Sequence, residues 1–231
     1  MHKLSVIIPV YNERKTILKI LSLIEMVNLP EVTKEIIIID DKSTDGTRDV
    51  LKGLMGGEYK IILKDKNEGK GAALRTGFQH ITGDIVIIQD ADLEYDPQDY
   101  HKLIEPILSG KEKVVYGSRN LGKNNKSSAF SYYWGGKFLS WLTNFLYHIK
   151  ITDEPTCYKV FRADILKNIN LECRGFEFCP EVTAKVAKRG IHIHEEPISY
   201  YPRSVAEGKK IKWRDGWIAI WTLIKYRFKK V

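Results

Sequence analysis

The sequence predicts an α/β protein: a mainly parallel sheet flanked by helices on both faces. Two observations carry this. Short apolar runs alternate with amphipathic segments over about the first 120 residues, and such alternation gives parallel strands joined by helical crossovers. The run IVII at 85–88 is apolar throughout, as a strand covered on both faces must be. A third observation bears on function. Successive runs end in Tyr11-Asn12-Glu13, Asp40-Asp41 and Asp90-Ala91-Asp92, and ligands of open α/β sheets gather outside the carboxyl ends of the strands.

Residues 4–10 form a first buried strand broken by Pro9, and Asn12 is placed to cap a helix with Ile17, Leu21 and Ile24 on one face. Residues 35–39 form a second strand. Asp45-Gly46 then opens a helix that turns Thr47, Val50, Leu51 and Leu54 inward. A third strand spans 59–63, and the turn at 67–71 leads into a helix through Ala73, Gly77 and Phe78. The stretch 83–96, GDIVIIQDADLEYD, is a buried strand delivering two carboxylates to its end. Asp96-Pro97 starts the next helix in cap-then-proline order. Residues 113–116 are a further strand, ending at Gly117-Ser118-Arg119. Beyond it the pattern loosens: an aromatic helix at 130–149, a strand at 157–161, an amphipathic helix at 179–189, short strands within 191–200 and a last helix at 213–228. No linker or internal repeat divides the chain, so residues 1–231 are expected to form one domain.

The net charge is +8, and residues 203–231 hold nine Lys or Arg against two acids. A basic tail of this kind implies an anionic partner. Cys157, Cys173 and Cys179 show no metal-like pairing and suggest small core residues in a reducing compartment. The N-terminus lacks the pattern of a signal peptide, and no stretch reaches about 18 uninterrupted apolar residues, so no spanning helix is expected. Asp90 and Asp92 fit a polar turn or a cation site. Oxygen ligands of this kind suit Mg²⁺ or Mn²⁺ when substrate phosphates complete the shell. Lys70 reads as a solvated helix-start residue that could still reach a bound ligand.

Together, Val6-Ile7-Ile8-Pro9-Val10-Tyr11-Asn12-Glu13, Asp40-Asp41 with Ser43 and Asp45-Gly46-Thr47, Asn67-Glu68-Gly69-Lys70-Gly71, and Asp90-Ala91-Asp92 resemble the family 2 glycosyltransferases of the GT-A, Rossmann-like fold. The resemblance covers the first 120 residues. It implies a nucleotide-sugar donor held by Pro9, Tyr11, Glu13, Ile38 and Asp40 at base and ribose. Asp90, Ala91 and Asp92 would meet the nucleotide diphosphate, and Asp90, Asp92 and Glu94 the divalent metal. Asp90-Ala91-Asp92-Leu93-Glu94, Gly117-Ser118-Arg119, Asp153 with Lys159, and Arg203 followed by Lys209 are similar to the dolichyl- or polyprenyl-phosphate mannose synthase type. This implies a lipid-phosphate acceptor bound by residues 121–231, with Arg119, Arg203 and Lys209 gathering phosphates around Asp92. The chain departs from that type at Glu94, where Gln is frequent, and in 130–136, FSYYWGG, where an Arg is expected.

A lipid phosphate is already an anion and needs positive charge rather than a general base. A hydroxyl acceptor would need a base, for which Glu181 is the candidate, although an acid is also favoured at a helix start. Arg119 could equally pair with an acid at the sheet edge, and Lys209 and Lys210 could be solvated. The segments 130–149 and 213–231 set aromatic residues beside basic ones and fit interfacial helices on anionic lipid, or helices packed on the sheet or in a homo-oligomer. No nucleic-acid motif accompanies the charge. The expectation is an inverting, metal-dependent transfer of mannose from GDP-mannose, peripheral on the cytoplasmic membrane face. The alternatives are a UDP-sugar transferase acting on a lipid phosphate or a saccharide hydroxyl, and a nucleotide-sugar-binding protein without turnover.

Overall fold

A computed structural model describes residues 1–122, 125, 130–203 and 210–229. In chain order the strands are β1 (His2–Val10), β2 (Val32–Asp40), β3 (Lys60–Leu63), β4 (Ile85–Ile88), β5 (Val114–Ser118), β6 (Lys159–Arg162) and β7 (His194–Pro197). The helices are α1 (Ile17–Met26), α2 (Thr47–Gly53), α3 (Lys70–Phe78), α4 (Tyr100–Leu108), α5 (Phe130–Tyr147), α6 (Ala163–Asn168), α7 (Phe178–Lys188) and α8 (Trp213–Phe228). The strands form a single sheet in the order β3-β2-β1-β4-β6-β5-β7. Every pairing is parallel except those of β6, which runs antiparallel between β4 and β5. The predicted β-α alternation is therefore correct in sequence, but β4 and β5 are not neighbours: the crossover through α4 leaves a gap that β6 fills.

Burial explains the element types. Ile85 to Ile88 are buried without exception, as are Ile36 to Ile39. In α1, Ile17, Ile20, Leu21 and Ile24 are buried on one stripe. Pro9 does not break β1, because its register with Ile39 continues to Val10 opposite Asp40. Pairing with β4 stops at Ile7, and Val10 accepts from Asp41 on the β2 side. The missing N–H of Pro9 thus falls where β4 has already ended, so no ladder bond is lost. Asn12 does not cap α1. The helix starts at Ile17, and Asn12 lies at φ 53°, with its Oδ1 accepting from the backbone N–H of Thr44 at 2.7 Å. The short α6 was not foreseen, and Cys157, Cys173 and Cys179 are free, the first two buried.

The two aromatic helices do not pack flat on the sheet. Tyr147 of α5, Ala184 of α7, and Leu223 and Tyr226 of α8 form a small second core, and the Tyr147 hydroxyl donates to the Leu223 carbonyl at 2.6 Å. On the outer faces Trp134, Phe138, Trp141 and Phe145 of α5 are exposed, as are Trp213, Trp217, Trp221 and Phe228 of α8. No helix among the described residues is long and apolar enough to cross a membrane.

Candidate active site

Side chains at the ends of β1, β2 and β4 meet those of the 119–122 and 153–157 segments around one cavity of about 1210 Å³, which continues outward between α5 and α8. Hydrogen bonds between loops brace the strand ends. Asn12 N–H donates to Ser43 Oγ, Glu13 N–H to Thr47 Oγ1, and Arg14 N–H to Asp45 Oδ2.

Pro9, Tyr11, Glu13, Asp90, Ala91, Asp92, Glu94, Arg119 and Arg203 all border this cavity, so the structure brings together most of the residues singled out from sequence. Ile38 and Asp40 do not border it. Ile38 is fully buried in the sheet, and the Asp40 carboxylate accepts from Ser43 N–H and lies 3.6 Å from Arg48. The β2 acid at the cavity wall is Asp41. It accepts from Gly69 N–H at 2.6 Å, Glu68 N–H at 3.1 Å and Lys64 Nζ at 2.8 Å, and so shapes the turn before α3. Lys209 lies outside the described residues.

Lys70 is not solvated. Its ammonium sits 2.6 Å from Asp90 Oδ1 and 2.7 Å from Oδ2. Burial opposes the charge on Lys70, but Asp90 outweighs it and holds the lysine protonated. Glu94 accepts from the Tyr200 hydroxyl at 3.0 Å and from Arg203 N–H at 2.8 Å. Between them, Asp92 has Arg203 Nη2 at 3.4 Å. Burial, then the charges of Asp90 and Glu94, push its carboxyl up to about 7 against the pull of Arg203. Arg203 also forks onto Glu13, with both bonds at 3.1 Å, and Lys210 reaches the same carboxylate at 2.6 Å. Arg119 forms a forked pair with buried Asp153, both bonds at 2.7 Å, and its guanidinium lies 5.1 Å from the Tyr200 ring centroid.

Among the described residues no three His, Cys, Asp or Glu side chains cluster tightly enough to hold a metal. Asp90, Asp92 and Glu94 therefore do not form a three-carboxylate cage, since Lys70 holds one end and Tyr200 with the Arg203 backbone holds the other. The donor set still fits a hard cation: an all-oxygen site in which Asp92 lies between two further carboxylates suits Mg²⁺ or Mn²⁺ taking one carboxylate and completing its shell with phosphate oxygens. Glu181 does not border the cavity; it accepts from the N–H groups of Glu172 and Cys173 and from Lys185. Asp41, Glu154 and Lys137 do border it but escaped the sequence reading as site residues. The available signals were the Asp153-Glu154 pair inside the otherwise uncharged 151–158 stretch and the isolation of Lys137 as the one charge in 130–147.

The Glycosyl transferase family 2 model matches residues 5–169. The chain belongs to glycosyltransferase family 2. It is similar to the dolichol-phosphate mannosyltransferase of Pyrococcus furiosus, 30% identical over 215 residues, covering 90% of this chain and 59% of that protein. It is also similar to the UDP-N-acetylglucosamine–dolichyl-phosphate N-acetylglucosaminyltransferase of Methanococcus voltae, 29% identical over 227 residues and covering 89% of each. The chain spans only 51–60% of the length of three of the curated relatives it matches. Among solved structures, the glucosyl-3-phosphoglycerate synthase of Mycobacterium tuberculosis with Mn²⁺, UDP and phosphoglyceric acid superposes with a TM-score of 0.73 at 18% identity, covering 100% of this chain and 80% of that one. The family 2 member thus has the GT-A fold, as its motifs implied.

Proposed function

We propose that this family 2 protein is an inverting glycosyltransferase that moves a hexose from a nucleoside-diphosphate sugar to a polyprenyl phosphate at a membrane surface, with mannose from GDP-mannose as the first donor. The observation that carries the reading is one cavity joining the strand-end acids Glu13, Asp90 and Asp92 to the slot between two aromatic helices. Residues 1–120 supply the donor half and residues 121–231 the acceptor half. Tyr11 and Pro9 cover the base, and Asp41 holds the 67–69 turn against the nucleotide. Asp92 would hold Mg²⁺ or Mn²⁺, which when bound supplies positive charge for the departing diphosphate. Lys70 holds the Asp90 carboxylate in place through contacts at 2.6 and 2.7 Å. Arg203 exchanges Glu13 and Asp92 for phosphate oxygens, and Lys209 adds a further cation. The lipid phosphate oxygen attacks C1 of the sugar, the C1–O bond to the diphosphate breaks, and the nucleoside diphosphate leaves with the electron pair.

The placement of Glu181 supports a phosphate acceptor: the candidate base for a hydroxyl is engaged by backbone N–H groups away from the cavity. Two relatives are named for dolichyl-phosphate transfer, with different sugars. A UDP-sugar donor is therefore the second reading, favoured by the Methanococcus relative. Peripheral attachment is supported by the exposed tryptophans of α5 and α8 with Lys212, Arg214, Lys225 and Lys229 beside them. Asp92→Ala is expected to lower transfer by at least about a hundredfold while leaving circular dichroism and the melting temperature in place. Full turnover by Asp92→Ala, or by the wild type in excess chelator, contradicts the metal assignment.

A further inference from the structure

We propose that the slot between α5 and α8 seats the acceptor, with Lys137 receiving its phosphate and the small residues of the two helices receiving the first isoprene units; this rests on the lipid-phosphate reading above. Charge pairing singles out Lys137. Four other cations at the cavity already face carboxylates: Lys70 faces Asp90, Arg119 faces Asp153, and Arg203 and Lys210 share Glu13. Among the described residues Lys137 is matched with no carboxylate, and its Nζ lies 5.6 Å from the Tyr133 ring centroid. It is also the one charged residue in the eighteen of α5.

Its position is not that of a solvating lysine. The outward stripe of α5 is aromatic and exposed, whereas Lys137 is half-buried and borders the cavity. An ammonium left without a counter-ion, in a cleft whose other buried cations are paired, is the group available to an incoming anion. Lys212 also borders the cavity but is exposed, where water and salt screen it.

The walls beside Lys137 leave room for an apolar chain. Gly135 and Gly136 of α5 and Gly216 and Ala219 of α8 border the cavity. A Cβ built at Gly135 or Gly216 would meet no atom within 4 Å. Neither glycine is there for close packing or for a positive φ, so its effect is to leave the slot open.

Calorimetric titration of the full chain with farnesyl monophosphate, farnesol and inorganic phosphate tests this, with GDP or UDP plus Mn²⁺ titrated alongside as a report on the donor site. Lys137→Gln is expected to weaken farnesyl monophosphate by about tenfold or more, to leave farnesol and the nucleotides unchanged, and to be largely rescued in Lys137→Arg. Gly216→Leu is expected to weaken farnesyl monophosphate and farnesol alike. Equal affinity of wild type and Lys137→Gln for farnesyl monophosphate, with nucleotide binding intact, overturns the assignment of Lys137 while leaving the proposed function standing. Wild-type protein that binds inorganic phosphate as tightly as farnesyl monophosphate overturns the slot. Wild-type protein with no affinity for farnesyl monophosphate but normal nucleotide binding overturns the slot and the lipid-phosphate reading together.

Discussion

On the proposed reading Asp92 meets the donor, because its contact with Arg203 is long at 3.4 Å while its neighbours are held more closely. Lys70 holds Asp90, and the Tyr200 hydroxyl and Arg203 backbone hold Glu94. The acids themselves were legible, since two carboxylates after an apolar run announce a strand end. Their partners were not, because Lys70 is twenty residues from Asp90 and Arg203 more than a hundred from Glu94. The same holds for the step from Asp40 to Asp41: adjacent acids look alike in a sequence, and only the end of β2 decides which one turns to the cavity. At the opposite end of the sheet, Glu35 shows a residue whose effect is on stability. Burial opposes its ionisation, but Ser5, both donors of Thr82, and Lys3 outweigh this and bring its carboxyl from 4.5 down to about 2. A folded-state value below the unfolded one adds stability that is present above about pH 4.5 and is lost as pH falls toward about 2. Denaturant unfolding through that window should show a loss of stability on acidification that is smaller in Glu35→Gln; an identical acid dependence in the variant contradicts the assignment.

Helix and strand identities were legible wherever periodicity was strong, as in α1, β4 and α8, whose predicted range 213–228 matches Trp213–Phe228. Boundaries set by other elements were not. Asn12 has the chemistry of a cap, yet it serves the Thr44 backbone across the loop gap, and the six residues of α6 are too few to show a period. The α3 start depends on Gly69, at φ 95°, where an added Cβ would lie 2.5 Å from the Arg174 carbonyl oxygen. Gly69→Ala should cost about 1–3 kcal/mol in denaturant unfolding and weaken nucleotide binding, because Gly69 N–H also anchors Asp41. Unchanged stability there contradicts the close approach. On α8, Ala219, Leu223 and Tyr226 pack inward while Trp217 and Trp221 are 66% and 65% exposed, so the buried face and the aromatic face are separate. Trp217→Ser with Trp221→Ser should reduce co-sedimentation with anionic lipid vesicles severalfold with little change in melting temperature. A large drop in melting temperature with unchanged vesicle binding would mark these tryptophans as packing residues.

At the scale of the whole molecule, one sheet sets the acids at one edge, and two helices beyond it, α5 and α8, carry the exposed aromatic surface. The parallel half and its strand-end acids were legible because each β-α unit is local in sequence. The insertion of β6 between β4 and β5 was not, since Val86 pairs with Phe161 across the intervening chain. The join between donor cleft and helical slot was invisible for the same reason, as it forms only when α8 packs on α5 and α7. The proposed activity is transfer from a nucleotide sugar to a lipid phosphate. Its most direct test is release of nucleoside diphosphate by the purified full chain with Mn²⁺, a panel of GDP- and UDP-sugars, and vesicles with or without polyprenyl phosphate. Release from one donor that requires the lipid phosphate and yields a glycosylated lipid is the predicted result; release that ignores the lipid phosphate, or none from any donor by a protein that binds nucleotide, would contradict it.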